Sequence, residues 1–318
     1  MNKILGDLRG KGVEVYIDDI VIHATDAKEH DVLVEEVIRR LDVNNMRVNR
    51  DKIQWRKQEI KLLGVTINGR EQEASELKRN EALEYPSPTN ITELRRFLGM
   101  TGWFANFIKN YAMKTEKLTD GLRGRGKNWK WTMEEEFIAM KKELKGLKKL
   151  LLADYNEEFM LRTDASNTGL SGVLLQKDTN GEWRPIQWAS KKLTPAEKKY
   201  GITEKEMFAV FWAIKKFEYE LRGRKFRLVT DHKALAEIRK KGHFNSNRVN
   251  RWINLIQEFD FDVEYNKGMD LAVPDALSRI YEGEDKDTIK ESKIKSSKWE
   301  KHVIHENDKE YGSLIMER

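Results

Sequence analysis

Residues 159–176 read F-M-L-R-T-D-A-S-N-T-G-L-S-G-V-L-L-Q, two apolar runs on either side of the polar segment D-A-S-N-T-G. Apolar runs of this length bounded by turn residues read as strands, and Asp, Ser, Asn and Gly are the residues that turns favour. Strands are therefore expected over Glu158 to Thr163 and Leu170 to Gln176, with a third at Arg184 to Trp188. An amphipathic helix follows from about Thr203 to Leu221, with Met207, Val210, Phe211, Ile214, Phe217 and Leu221 on one face. A strand at Phe226 to Thr230, a short helix from Lys233, a longer one over Ser246 to Glu258, a strand at Phe261 to Tyr265 and a last helix from Pro274 complete the pattern. Five strands with helices between them predict a mixed α/β unit.

The 318 residues are enough for two or three such units, and 39% hydrophobic content can fill their cores. Lysine and arginine number 59 against 53 acidic residues, a net charge of +6 that leans toward a polyanionic partner. The absence of cysteine excludes disulfides, thiol catalysis and cysteine-built zinc sites, and fits a reducing, intracellular compartment. No apolar run approaches the roughly 20 residues of a membrane-spanning helix, so a soluble chain with no membrane partner is expected.

Three aspartates stand where strands end or helices begin: Asp164, Asp231 and Asp275. In open α/β sheets such positions gather at one edge, where sites tend to lie. A glutamate near the start of the amphipathic helix can face the same edge, although periodicity does not choose between Glu204 and Glu206. Carboxylates converging in low dielectric repel one another, so the arrangement suits neutralisation by divalent cations. Hard oxygen donors without cysteine favour magnesium or manganese. Asp164 or Asp275 taken singly reads more often as a turn or cap residue than as a ligand.

The segments quoted above, with L-T-P-A-E-K-K-Y-G-I-T-E-K-E-M-F-A-V-F-W-A-I-K-K-F (193–217), L-R-G-R-K-F-R-L-V-T-D-H-K-A-L (221–235) and V-P-D-A-L-S-R (273–279), closely resemble the ribonuclease H domain of gypsy-type LTR retrotransposon Pol polyproteins. Four motifs in order are far more specific than any one. The resemblance implies a ribonuclease H-like α/β fold, one five-stranded mixed sheet with flanking helices, and a metal-dependent endonuclease that cuts the RNA strand of RNA–DNA hybrids with two Mg2+ or Mn2+ ions. Asp164, Glu206, Asp231 and Asp275 would be its metal-binding carboxylates, Glu206 being chosen because E-M-F-A-V matches the family's E-L-L-A-I. By that resemblance Asp164 bridges both ions, with Glu206 and Asp231 on one side and Asp275 on the other. Many cellular ribonucleases H carry a histidine before the last aspartate; the stretch Y-N-K-G-M-D-L-A-V (265–273) has none. His232 is a substitute candidate, although local packing or substrate contact is the favoured reading.

Upstream, Val13 to His23 read V-E-V-Y-I-D-D-I-V-I-H, a hairpin pattern around Asp18-Asp19. A helix is expected from Ala27 to Leu41 with Val32, Val34, Val37, Ile38 and Leu41 as its apolar face, then a strand over Ile60 to Ile67. Tyr85-Pro86-Ser87-Pro88-Thr89 marks a break, and Thr89 or Asn90 can cap the helix beginning near Ile91. From there to Leu152 the pattern is helical around a loop-like Asp120 to Asn128, with Phe97, Trp103, Phe104 and Phe107 read mostly as core and some basic residues as phosphate contacts. Trp188 and Trp212 are read as packing residues.

Tyr16-Ile17-Asp18-Asp19 resembles the Y-x-D-D hairpin of reverse transcriptases, residues 85–111 the thumb of the same retrotransposon family, and W-K-W-T-M-E-E-E-F-I-A-M-K-K-E-L (129–144) its connection. The implied domains are a partial palm at 1–85, a helical thumb and connection at 86–152, ribonuclease H at 153–281 and a charged, flexible tail or linker at 282–318. In that family a third polymerase aspartate and the fingers lie upstream of the hairpin. The expectation is a chain without polymerase activity of its own, Asp18 and Asp19 being a polymerase remnant unless upstream Pol segments or a second Pol chain complete the site. A non-catalytic nucleic-acid-binding remnant is the alternative, with an uncovered sheet edge and apolar surface at Val13 to Ile22. His302 and His305 are read as surface residues.

Overall fold

The computed structural model describes residues 1–123, 129–236, 244–266 and 314–316. They fall into two units, one holding Met1–Gly69 with the strand Leu314–Met316, the other the described residues of 70–277.

In the first unit α1 (Asn2–Leu5) precedes a hairpin of β1 (Val13–Tyr16) and β2 (Asp19–Ile22), in register from Val13 opposite Ile22 to Tyr16 opposite Asp19. This leaves Ile17-Asp18 as a two-residue connection, with Ile17 at φ 55°, a left-handed value that strains a β-branched residue. α2 (Ala27–Val43) starts at Asp26, whose carboxylate accepts the backbone N–H groups of Lys28 and Glu29. Its buried stripe is His30, Val34, Val37 and Leu41, packed with Leu5, Val13, Ile20 and Ile22. Val32 and Ile38, expected on that face, are exposed, because 100° per residue carries them off the 30-34-37-41 line.

The strand expected over Ile60 to Ile67 is two antiparallel strands, β3 (Glu59–Leu62) and β4 (Val65–Asn68). Leu63 and Gly64 both take left-handed backbone angles between them, φ 49° and 81°. The surface expected to be uncovered is covered in part: Val13 and Ile20 to Ile22 are buried, and Leu314–Met316, from the stretch expected to be a flexible tail, pairs antiparallel with β2, while Tyr16 and Ile17 are exposed and β1 is an outer strand of its sheet.

The second unit opens with β5 (Glu71–Ala74) and α3 (Glu76–Glu84). After the proline break comes α4 (Ile91–Gly102), where Asn90 accepts the Glu93 N–H and the Glu93 carboxylate accepts from the Thr89 N–H and hydroxyl, a reciprocal cap. α5 (Tyr111–Lys114), α6 (Glu116–Gly121) and α7 (Glu134–Lys145) enclose a core that includes Leu94, Phe97, Phe104, Leu118, Phe137 and Met140. Trp103 and Phe107 are half-buried on it, and the Lys78 ammonium lies 4.6 Å from the centre of the Trp103 ring. β6 (Leu150–Leu151) pairs antiparallel with β5.

The five-stranded sheet follows. β7 (Phe159–Ala165), β8 (Gly169–Lys177) and β9 (Trp183–Lys192) run antiparallel in succession. α8 (Ile202–Lys216) and α9 (Glu218–Leu221) lead to β10 (Lys225–Thr230), parallel to β7. α10 (Lys233–Ala236) and α11 (Asn247–Ile256) lead to β11 (Asp260–Tyr265), parallel to β10, for a spatial order β11-β10-β7-β8-β9. The single helix expected over Thr203 to Leu221 is interrupted at Phe217, whose backbone leaves helical angles.

Met207, Val210, Ala213 and Ile214 of α8 pack on Phe159, Leu161, Leu174, Phe226 and Leu228 of the sheet. Gly172 lets the helix lie close, since a Cβ there would meet the Ala213 Cβ at 3.0 Å. The opposite face buries Met160, Val173, Leu175, Trp188 and Val229 with Leu150, and Phe107 packs on it. The preceding helices are tied to the outer strand through Trp188 N–H to the Asn106 carbonyl at 2.9 Å and Ala112 N–H to Ser190 Oγ at 2.8 Å. Trp212 is half-buried at the margin of the main core. The helix expected from Pro274 lies outside the described residues. No described helix is long and apolar enough to cross a membrane.

Phe226 of β10 is fully buried in the core that α8 covers, whereas Leu77 on α3 is 71% exposed. Phe226→Ala is expected to destabilise the second unit by about 3–5 kcal/mol in urea unfolding, and Leu77→Ala by less than about 0.5 kcal/mol.

Candidate active site

β7 and β10 are parallel neighbours, with Leu161 opposite Leu228 and Arg162 opposite Val229, so their C-terminal ends emerge at one edge of the sheet. Asp164 is the penultimate residue of β7 and Asp231 follows Thr230, the final residue of β10. Glu206 enters from α8 and is 8% exposed. Burial above all, then the negative charges of Asp164 and Asp231, push its carboxyl up to about 8, while a hydrogen bond with the Ala165 backbone pulls the other way. Its Oε2 is buried and has no hydrogen-bond partner.

Glu204, the other candidate on the same helix, is committed elsewhere. Its carboxylate accepts from the Gly201 N–H at 3.2 Å, Ser246 Oγ at 2.8 Å and Arg248 Nη1 at 3.2 Å. The Ser246 hydrogen bond is the main cause holding it below the usual carboxylate range. Two positions along a helix turn the side chain by 200°, enough to send one glutamate to α11 and the other to the aspartates. Asp275 lies outside the described residues.

His232 is half-buried beside Asp231, its Nε2 3.3 Å from Thr203 Oγ1 on α8, its Nδ1 buried and unpartnered. Its backbone N–H donates to Thr230 Oγ1 at 3.1 Å. Lys205, next to Glu206, is 8% exposed and donates to Asn167 Oδ1 in the turn after Asp164. Neither Thr203 nor Lys205 stands out in the sequence, where a polar residue near a helix start reads as solvated surface. In the first unit Asp18 is exposed at the β1–β2 connection and Asp19 opens β2. His302 and His305 lie outside the described residues.

Among the described residues no three acidic, imidazole or thiol groups are already gathered at metal-holding spacing. The fit of a cation therefore rests on two observations: Glu206 Oε2 is an orphaned buried oxygen, and Glu206 feels the charge of both aspartates. An all-carboxylate donor set suits a hard divalent ion such as magnesium or manganese.

The sheet order and the carboxylate edge define the ribonuclease H-like class of α/β domain. The family model described as the RNase H-like domain found in reverse transcriptase matches residues 154–259, and that for reverse transcriptase (RNA-dependent DNA polymerase) matches residues 1–67. The chain is 36% identical over 284 residues to the retrovirus-related Pol polyprotein from transposon 297 of Drosophila melanogaster, an alignment covering 88% of this chain and 26% of that protein. It is 29% identical over 290 residues to the transposon Tf2-3 polyprotein of Schizosaccharomyces pombe, covering 88% and 21%. The chain thus spans about a quarter of the length of these curated relatives.

Among solved structures, the foamy viral protease-reverse transcriptase in complex with RNA/DNA hybrid matches at TM-score 0.70 and 20% identity over 93% of this chain and 39% of that one. The dRH form of the same viral protein in complex with ds DNA matches at TM-score 0.73 and 22% identity over 85% and 48%. At such identities the likeness is one of fold. The chain belongs with the Pol polyproteins of LTR retrotransposons, and carries a reverse-transcriptase segment followed by an RNase H-like domain.

The raised Glu206 pKa sets a pH dependence. A carboxyl whose folded-state value lies above its ordinary 4.5 contributes stability that is fully present below 4.5 and lost as pH rises through about 8. In metal-free buffer, wild type is expected to lose stability relative to Glu206→Gln across that window, by at most about 1.4 kcal/mol per pH unit. Added Mg2+ is expected to narrow the difference, and thermal melts of the two proteins across pH check both expectations.

Proposed function

We propose that the RNase H-like domain is a divalent-metal-dependent endonuclease that cuts the RNA strand of RNA–DNA hybrids. The observation that carries this reading is Glu206, buried with a partnerless oxygen and electrostatically coupled to Asp164 and Asp231 at one sheet edge. Reverse-transcriptase and RNase H domains are metal-dependent as classes. Asp164, Glu206, Asp231 and Asp275 would hold two Mg2+ or Mn2+ ions, which would supply Lewis-acid activation of water and charge neutralisation at the departing 3′ oxygen. The chain's own part is to keep these carboxylates together. Burial keeps Glu206 protonated at neutral pH until positive charge draws the proton off.

The duplex partner is supported by the viral relative solved with an RNA/DNA hybrid, and by the net charge of +6. Selectivity for the hybrid comes from groove shape and 2′-hydroxyl contacts rather than base sequence. Asp18 and Asp19 supply two adjacent carboxylates of the polymerase type. Upstream Pol segments or a second Pol chain would complete that site for polymerisation.

The test is cleavage of an end-labelled RNA–DNA hybrid in Mg2+, Mn2+ or chelator, with Asp231→Asn purified identically. Expected are RNA-strand cuts that need metal and fall at least about 100-fold in the variant. Tight hybrid binding without cuts would replace the enzyme by a non-catalytic nucleic-acid-binding remnant.

A further inference from the structure

Four successive residues of the first turns of α8 reach separate places. Thr203 Oγ1 lies 3.3 Å from Nε2 of His232, the residue after Asp231. Glu204 holds the Gly201 N–H and reaches Ser246, the cap of α11. Lys205 Nζ donates to Asn167 Oδ1 at 3.1 Å, three residues past Asp164. Glu206 then faces the aspartates themselves. Steps of 100° explain the fan, and Thr203 shares the Glu206 face as its i−3 neighbour.

We infer that Thr203 and Lys205 are positioning residues of the carboxylate site: one ties the Asp231 segment, the other the Asp164 turn, to the helix that carries Glu206. The inference rests on reading this edge as a metal-dependent nuclease site.

Lys205 carries most of the argument. A lysine at 8% exposure gives up water that an apolar residue would never have held, and its hydrogen bond goes to the turn that follows Asp164. That turn is itself set: Ser166 Oγ accepts the N–H groups of Thr168 and Gly169 at 3.2 and 2.9 Å, so fixing Asn167 fixes a preformed unit. The Asp231 side is built alike, with His232 held by its N–H to Thr230 Oγ1 and its ring on Thr203. Carboxylates that repel one another spread apart unless their backbones are restrained. Two ties onto one rigid helix supply the restraint before any cation arrives, which is how outer partners raise metal affinity.

The test uses Thr203→Val, Lys205→Met and Asn167→Ala in the full chain, the last altering an exposed turn residue. Three quantities are measured: the metal-free melting temperature, the Mn2+ concentration that gives the half-maximal rise in melting temperature, and kcat and KM for the hybrid. Expected for each variant is a metal-free protein that still melts cooperatively within a few degrees of wild type, a Mn2+ requirement raised about 10- to 100-fold, and a loss in kcat at fixed Mg2+ with KM held. Lys205→Arg and Thr203→Ser are expected to recover most of the metal affinity. Variants that take up Mn2+ like a wild type that binds metal and cuts hybrid overturn the inference and leave the nuclease standing. A metal affinity lost equally in Lys205→Arg and Lys205→Met also overturns it. A wild type that neither binds Mn2+ nor cuts overturns the nuclease reading, and the inference with it.

Discussion

Like charges at close quarters are the constraint on which this site depends. Asp164 and Asp231 end parallel neighbouring strands, and α8 brings Glu206 beneath the surface beside them. Isolated, such a group destabilises the fold that makes it, since burial and two negative neighbours both oppose ionisation. The protein tolerates it because the surrounding sheet and helix are over-determined. The α8 face of the sheet packs Phe159, Phe217 and Phe226 with no exposure. A site that is costly when empty of positive charge has a reason to bind it, which links the packing of the domain to its proposed chemistry.

The approach of α8 to the sheet shows how backbone detail serves that end. Gly172 on β8 leaves room for Ala213, and the helix lies near enough for Glu206 to share an edge with the strand ends. On the other face Trp188 and Val173 receive Phe107, and Lys192 reaches Asp120 and Glu116 at 2.9 and 3.1 Å. The nuclease-like sheet and the helices before it therefore form one packed unit. Mutations along that seam are expected to act through stability rather than chemistry.

Much of this was legible in the sequence where the signal was local. The runs around D-A-S-N-T-G, the amphipathic α8 and the extended F-R-L-V-T each carry their own periodicity, and the structure places strands and helix there. What escaped was decided by distant partners. Glu-Gln-Glu-Ala of β5 holds one apolar residue, and its pairing with the distant Leu150-Leu151 is not written in its own pattern. Leu63 bears no mark of a left-handed turn residue, so the β3–β4 hairpin looked like one strand. His30 took the place in the α2 stripe that Val32 and Ile38 were expected to fill, because it lies on the 30-34-37-41 line, and it is buried there with neither ring nitrogen hydrogen-bonded. Glu204 and Glu206 are indistinguishable by periodicity and differ only in what folds against them: Ser246 and Arg248 for one, Asp164 and Asp231 for the other.

The central claim is that Glu206 is held protonated by burial and by its two aspartate neighbours until a divalent cation relieves it. Carbon-detected NMR titration of side-chain glutamate carboxyls, assigned with Glu206→Gln, reads this directly. The account expects one glutamate titrating near 8 without metal, falling to the ordinary carboxylate range in Mg2+ and falling also when Asp231 is changed to Asn. A Glu206 that titrates near 4.5 in metal-free buffer and ignores both Mg2+ and the Asp231 substitution would contradict it.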